Sequence, residues 1–143
     1  MAKSTALCNS LLKLLFNATA IANVADNAAS SPLTNIYCAL HTATPGAGGS
    51  QTTNEAAYGS YARVAVARTT GGFTASSAAS SSPVAAVTFP AATSGTETET
   101  FGSWGTASSG AGILWYFGTV TPNIAVTTTV TPQLATSSTI TEA

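Results

Sequence analysis

Few residues in this sequence are able to carry chemistry. His41 is the single histidine and Asp26 the single aspartate, so a Ser-His-Asp constellation would have to use both. Asp26 falls in a turn-rich stretch, and no Gly-x-Ser-x-Gly elbow sets a serine beside either residue. His41 is therefore expected to be a hydrogen-bonded strand histidine. A lone histidine, with Cys8 and Cys38 not in CxxC spacing, does not make a metal site, and the two cysteines read as small buried hydrophobes. Glu97 and Glu99 are two apart in a strand pattern, which would set both on one face about 7 Å from each other. That separation suits the paired carboxylates of a glycosidase, but such pairs normally face each other across a substrate from different strands. The expected role is a solvated strand face that discourages edge-to-edge pairing, with a glycosidase site and a calcium site as alternatives. Gly46, Gly48 and Gly49 lack the lysine and following helix of a phosphate loop, and read as a surface loop. Glu55 and Arg63 stand out because the chain has only four Lys/Arg and five Asp/Glu. They bracket Tyr58 and Tyr61, and a charge-assisted Glu55–Arg63 pair is expected to pin the loop to the strand that follows. No catalytic, cofactor or metal residues are assigned, and the chain is expected not to be an enzyme.

The elements that must position these residues follow from periodicity. Leu7, Leu11, Leu14, Leu15, Ala18, Ile21 and Ala25 recur at three- and four-residue steps with Asn9, Lys13 and Asn17 between them, predicting an amphipathic helix over about Ser4 to Ala25. The same stretch has some features of a secretory signal, but Lys13 interrupts its apolar run, which is also too short and polar to span a bilayer. Residues 26–32 read as a linker. From Asn35 the pattern alternates, with Ile36, Cys38 and Leu40 on one face of a strand and Tyr37, Ala39 and His41 on the other. Further strands are expected at Tyr61 to Arg68, Val84 to Phe89, Thr96 to Trp104, Ile113 to Thr121, Ile124 to Thr131 and Thr136 to Thr141. Ile113 to Phe117 is apolar on both strand faces and demands cover on both. Ser76 to Ser82 has nothing to anchor a core, and is expected at a surface edge.

This pattern predicts a mainly β chain: a β-sandwich or jelly-roll-like domain behind an N-terminal amphipathic α-helix. The helix and linker would occupy residues 1–31 and the sandwich 32–143, a single domain overall. Charged residues make up 6% of the chain, against roughly 25% in an ordinary soluble domain. With a net charge of −1 and no Lys/Arg cluster, nucleic acid is an improbable partner. Such charge-poor surfaces suit burial in an assembly, since apolar contact avoids desolvating ions.

Tyr37-Cys38-Ala39-Leu40-His41-Thr42-Ala43-Thr44-Pro45-Gly46, then Gly49, Thr53-Asn54-Glu55 and Tyr58-Gly59-Ser60-Tyr61-Ala62-Arg63-Val64, resembles a family of small tailed-phage virion proteins. The resemblance continues through Val87 to Ala91, Phe101-Gly102 and Ala107 to Gly112, covering most of residues 35–121. Proteins of this kind often carry tail-fibre names, while their size and helix-plus-sandwich build are similar to capsid cement or decoration proteins. The resemblance thus implies a structural virion protein. The leading expectation is a cement protein on the outer face of the capsid, a homo-oligomer and by resemblance a trimer, with the major capsid protein as partner and with no membrane, nucleic-acid or cofactor partner. A tail or tail-fibre component contacting host glycans is the alternative. Its interface is expected to involve Leu11, Leu15, Trp104, Trp115, Tyr116 and Phe117.

Overall fold

Helix α1 (Thr5–Asn17) opens the computed structural model, which describes residues 3–21, 32–75 and 77–142. Ser4 caps it from an extended conformation, its hydroxyl accepting from the Leu7 N–H at 3.3 Å. Ala18 ends it in a left-handed conformation, φ 52°, and the Thr19 N–H returns to the Lys13 carbonyl. The helix is shorter than its periodicity predicts, and residues 22–31, which hold most of the expected linker, lie outside the described residues. Its buried stripe also differs from the expected one. Cys8, Leu12 and Phe16 are enclosed, whereas Leu7 is 45% exposed and Leu11 and Leu15 are half-buried. Leucine and alanine occur nearly all round this helix, so hydrophobicity alone did not fix which face turns inward. Cysteine and phenylalanine belong to the stripe that does.

Among the described residues eight strands follow: β1 (Asn35–His41), β2 (Val64–Ala67), β3 (Ser80–Ser81), β4 (Val87–Thr88), β5 (Glu97–Gly105), β6 (Leu114–Val126), β7 (Gln133–Leu134) and β8 (Ile140–Thr141). The chain is mainly β, consistent with a β-sandwich carrying an N-terminal helix. Four strands hydrogen-bond in the order β2-β1-β5-β6, and the pairs β3-β8 and β4-β7 form two small sheets. β1 and β5 run antiparallel with Cys38 opposite Trp104 and His41 opposite Phe101. β5 and β6 are also antiparallel, with register shifts after Glu99 and after Trp104. The apolar run at 113–121 and the segment at 124–131, expected as separate strands, are largely one long strand, β6. β7 was not foreseen, because two residues carry no period.

The chain resolves into two compact units. Unit 1 comprises Met1–Asn35, Val66–Ala86 and Ala135–Ala143, and unit 2 comprises Ile36–Ala65 and Val87–Leu134. The core of unit 1 is Cys8, Leu12, Phe16, Phe73, Pro83 and Ile140, with the Phe16 and Phe73 rings 4.8 Å apart. Arg68 closes its helix: the guanidinium donates to the carbonyls of Leu14, Leu15 and Leu33 at 2.7, 2.5 and 2.7 Å. A cation thus satisfies carbonyls that the last helical turn leaves open. The serine-rich stretch lies at the surface at Ser77 and Ala78, but turns inward at Ser81, which is buried in β3. The expectation of a purely surface segment is corrected to that extent. Unit 2 buries Ile36, Cys38, Leu40, Tyr58, Phe89, Trp104, Val126 and Leu134.

Candidate functional site

Unit 2 brings together most of the residues singled out by type. β1 carries His41 inward, fully enclosed, while the partner strand β5 sets Ser103 against it. The imidazole Nε2 lies 2.7 Å from the Ser103 hydroxyl, and Nδ1 lies 2.9 Å from the Thr53 carbonyl. A carbonyl only accepts, so Nδ1 carries the proton and Nε2 accepts from the serine O–H. Burial lowers the His41 pKa below its ordinary value, keeping the ring neutral. The pairing has the outline of a serine–histidine dyad, but Ser103 and His41 are 1% and 0% exposed. Ser103 could not be found by sequence spacing, because it arrives through β1–β5 register.

Glu55 and Arg63 meet in a two-pronged ion pair. Nε donates to one Glu55 oxygen at 2.6 Å and Nη2 to the other at 2.8 Å. The same guanidinium donates to the carbonyls of Ala107 at 2.9 Å and Gly110 at 2.7 Å. Gly110 stands at φ +71°, a left-handed backbone that glycine adopts without strain and that belongs to the turn offering this carbonyl. Tyr61 donates to Glu55 and accepts from the Leu40 N–H, both at 3.1 Å, tying the pair to β1. Gln51 is the residue sequence reasoning missed. Its side chain is fully buried, its carbonyl oxygen accepts from the Ala107 N–H at 2.9 Å, and a Cβ at Gly105 or Gly112 would run into it. A polar residue in a glycine-rich loop gives no sign of burial until the glycines that make room for it are seen in space. The result is two loops, 45–55 and 106–112, locked to each other and to β1 through side chains in one polar cluster.

Glu97 and Glu99 behave otherwise than expected. They do not form a solvated face: Glu99 is fully buried and Glu97 is half-buried. The reason is that β6 pairs beside both residues and the segment around Ala57 and Tyr58 docks onto Glu97. The Glu97 carboxylate accepts from the N–H groups of Ala57 and Tyr58, at 3.0 and 2.8 Å. Burial, then the Glu97 neighbour, pushes the Glu99 pKa up to about 8. The pair shares one strand and Glu99 is fully enclosed, so it lacks the facing arrangement of a glycosidase.

The expected interface residues are dispersed. Trp104 is buried in β5. Trp115 and Tyr116 are half-buried at the start of β6, Phe117 is 39% exposed and the preceding Ile113 67% exposed. Both cysteines are free and buried, and desolvation raises the Cys38 pKa. Among the described residues no group of three or more His, Cys, Asp or Glu is placed to hold a metal ion, and no helix is long and apolar enough to cross a membrane.

Unit 2 is thus a β scaffold in which Glu55, Arg63 and Tyr61 fix loops and β6 carries an aromatic run. Residues 2–141 match the family described as Podophage GP4 fiber I protein gp80, and the chain belongs to that family. It is thus a phage structural protein of a fibre family. No curated protein matches the chain.

Proposed function

We propose that this protein is a non-enzymatic component of a phage tail fibre or of the tail that bears it, contacting glycans of the host surface. Membership of a fibre family over nearly the whole chain carries this reading, and favours it over a capsid cement role. The scaffold supports it in two ways. The histidine and serine that could act together are enclosed, with no room for a substrate at either. Trp115 and Tyr116, half-exposed beside Phe117, offer flat apolar faces of the kind that stack on sugar rings. The exposed Ile113 and Phe117 also suit cover by another chain, and self-association belongs to the proposal.

The deciding experiment is immunogold labelling of intact particles combined with binding of purified protein to host-derived polysaccharide. Label at the tail, and binding weakened by Trp115→Ala or Tyr116→Ala in a protein that still folds, is the expected result. Label spread over the head would reverse the choice between fibre and cement. Release of reducing sugar from the polysaccharide, abolished by Glu97→Gln with Glu99→Gln, would overturn the non-enzymatic reading.

A further inference from the structure

We infer that Glu99 is enclosed in its protonated form beside Glu97, and that its ionisation as the pH rises loosens the Ala57–Tyr58 segment that Glu97 latches onto β5. Four observations carry it. Glu99 is 0% exposed, and neither of its oxygens receives a hydrogen bond from an N–H or hydroxyl of the described residues. A carboxylate with neither solvent nor a donor is costly to enclose, so Glu99 carries its proton in the folded chain, with Glu97 two residues before it on the same strand. Glu97 is held in place from the opposite side, because its oxygens accept from the Ala57 and Tyr58 N–H groups. Finally, the described ion pairs join other residues: Lys3 with Glu142, and Arg63 with Glu55.

The groups facing Glu99 are therefore few. Glu97 comes from its own strand and Tyr58 from the docked segment, and across the ladder β6 presents Ile124 opposite Glu99 and Val126 opposite Glu97. Tyr58 donates its hydroxyl to the Pro90 carbonyl at 3.1 Å, and burial followed by the two glutamates pushes its pKa up to about 12, well above the range of the latch. The Glu99 proton thus leaves before that of Tyr58 on the alkaline side. Once it leaves, a carboxylate is enclosed on the same strand as Glu97, and neither glutamate is in an ion pair among the described residues. The strain reaches the segment that docks on Glu97 through the N–H groups of Ala57 and Tyr58.

The test is amide hydrogen exchange at Ala57 and Tyr58 in the full-length chain, expressed as protection relative to the unstructured rate, from about pH 6 to about pH 9. The wild-type protein should lose protection there about tenfold by about pH 9. Residues of β1 should lose protection only as far as the global stability itself falls over the same range. Glu99→Gln, whose amide donates to Glu97 without a titrating proton, should show no such loss. Glu97→Gln keeps an acceptor for the two N–H groups and gives Glu99 a donor, and should flatten the profile in the same way. If neither variant folds, the carboxyl carbon resonance of Glu99 in the wild-type protein decides, with a midpoint near 8 expected. Constant protection in the wild-type chain, an undiminished loss in either variant, or a Glu99 midpoint in the ordinary carboxylate range would overturn the inference.

Discussion

Replacing Arg63 by Ala should be among the most damaging single changes in unit 2. The side chains of Arg63 and Glu55 are 2% and 15% exposed, so the pair is sheltered and its charges are poorly screened. Removal of the guanidinium deletes two bonds to Glu55 and leaves the carbonyls of Ala107 and Gly110 without it. Glu55 would retain the Tyr61 hydroxyl as donor but lose its counter-charge. Breaking a buried pair from one side typically costs about 3 to 5 kcal/mol, because one charge stays behind uncompensated. With a urea slope of about 2 kcal/mol/M for a domain of this size, the midpoint should fall by about 2 M. Trp104 and Trp115 fluorescence would follow the transition, and limited proteolysis would report the loop Pro45 to Asn54 opening before it. Arg63→Ala combined with Glu55→Gln should be less costly than Arg63→Ala alone, since the stranded charge is gone. A loss under about 1 kcal/mol for Arg63→Ala would place the pair among exposed ion pairs and refute the argument from burial.

Other perturbations test the remaining contacts. His41→Ala should cost about 2 to 4 kcal/mol by leaving the Ser103 hydroxyl and a cavity inside β1–β5, read by chemical denaturation. The two buried titrating groups should bound stability from both sides. A His pKa lowered by folding withdraws stability as the pH falls below about 6.5, whereas a Glu pKa raised to about 8 withdraws it as the pH rises from about 4.5, at up to about 1.4 kcal/mol per unit. Glu99→Gln should therefore match the wild-type protein near pH 4 and exceed it near pH 8 by roughly 4 kcal/mol in denaturation curves, and an equal gap at both would exclude titration as the cause. Gly105→Ala should cost about 1 to 3 kcal/mol through collision with Gln51, and a double-mutant cycle with Gln51→Ala should show coupling that relieves part of it. Arg68→Ala should lower helix content by circular dichroism, with about 1 to 3 kcal/mol lost, because the last carbonyls of α1 lose their donor.

What the sequence determined by itself is local in origin. Alternation across Asn35 to His41 specified β1 and its two faces, because the side-chain period of a strand is independent of where the strand is placed. Scarcity of charge drew attention to Glu55 and Arg63, since two opposite charges close in a charge-poor chain have few other partners. The mainly β character and the helix that precedes it came from the same short-range patterns, and the motif block from Tyr37 to Val64 pointed to a phage virion protein. Tertiary structure decided the rest. Leucine and alanine spread round α1 left its inward face undetermined, and packing beside Phe73 selected Cys8, Leu12 and Phe16. Ser103 reaches His41 through strand register, and Gln51 is buried because Gly105 and Gly112 leave it room. Glu97 and Glu99 have the spacing of a solvated face, yet Glu99 is enclosed and the Ala57–Tyr58 segment is laid over Glu97. Whether a carboxylate meets water or an apolar wall depends on what the distant chain lays over it, and no spacing along the strand encodes that.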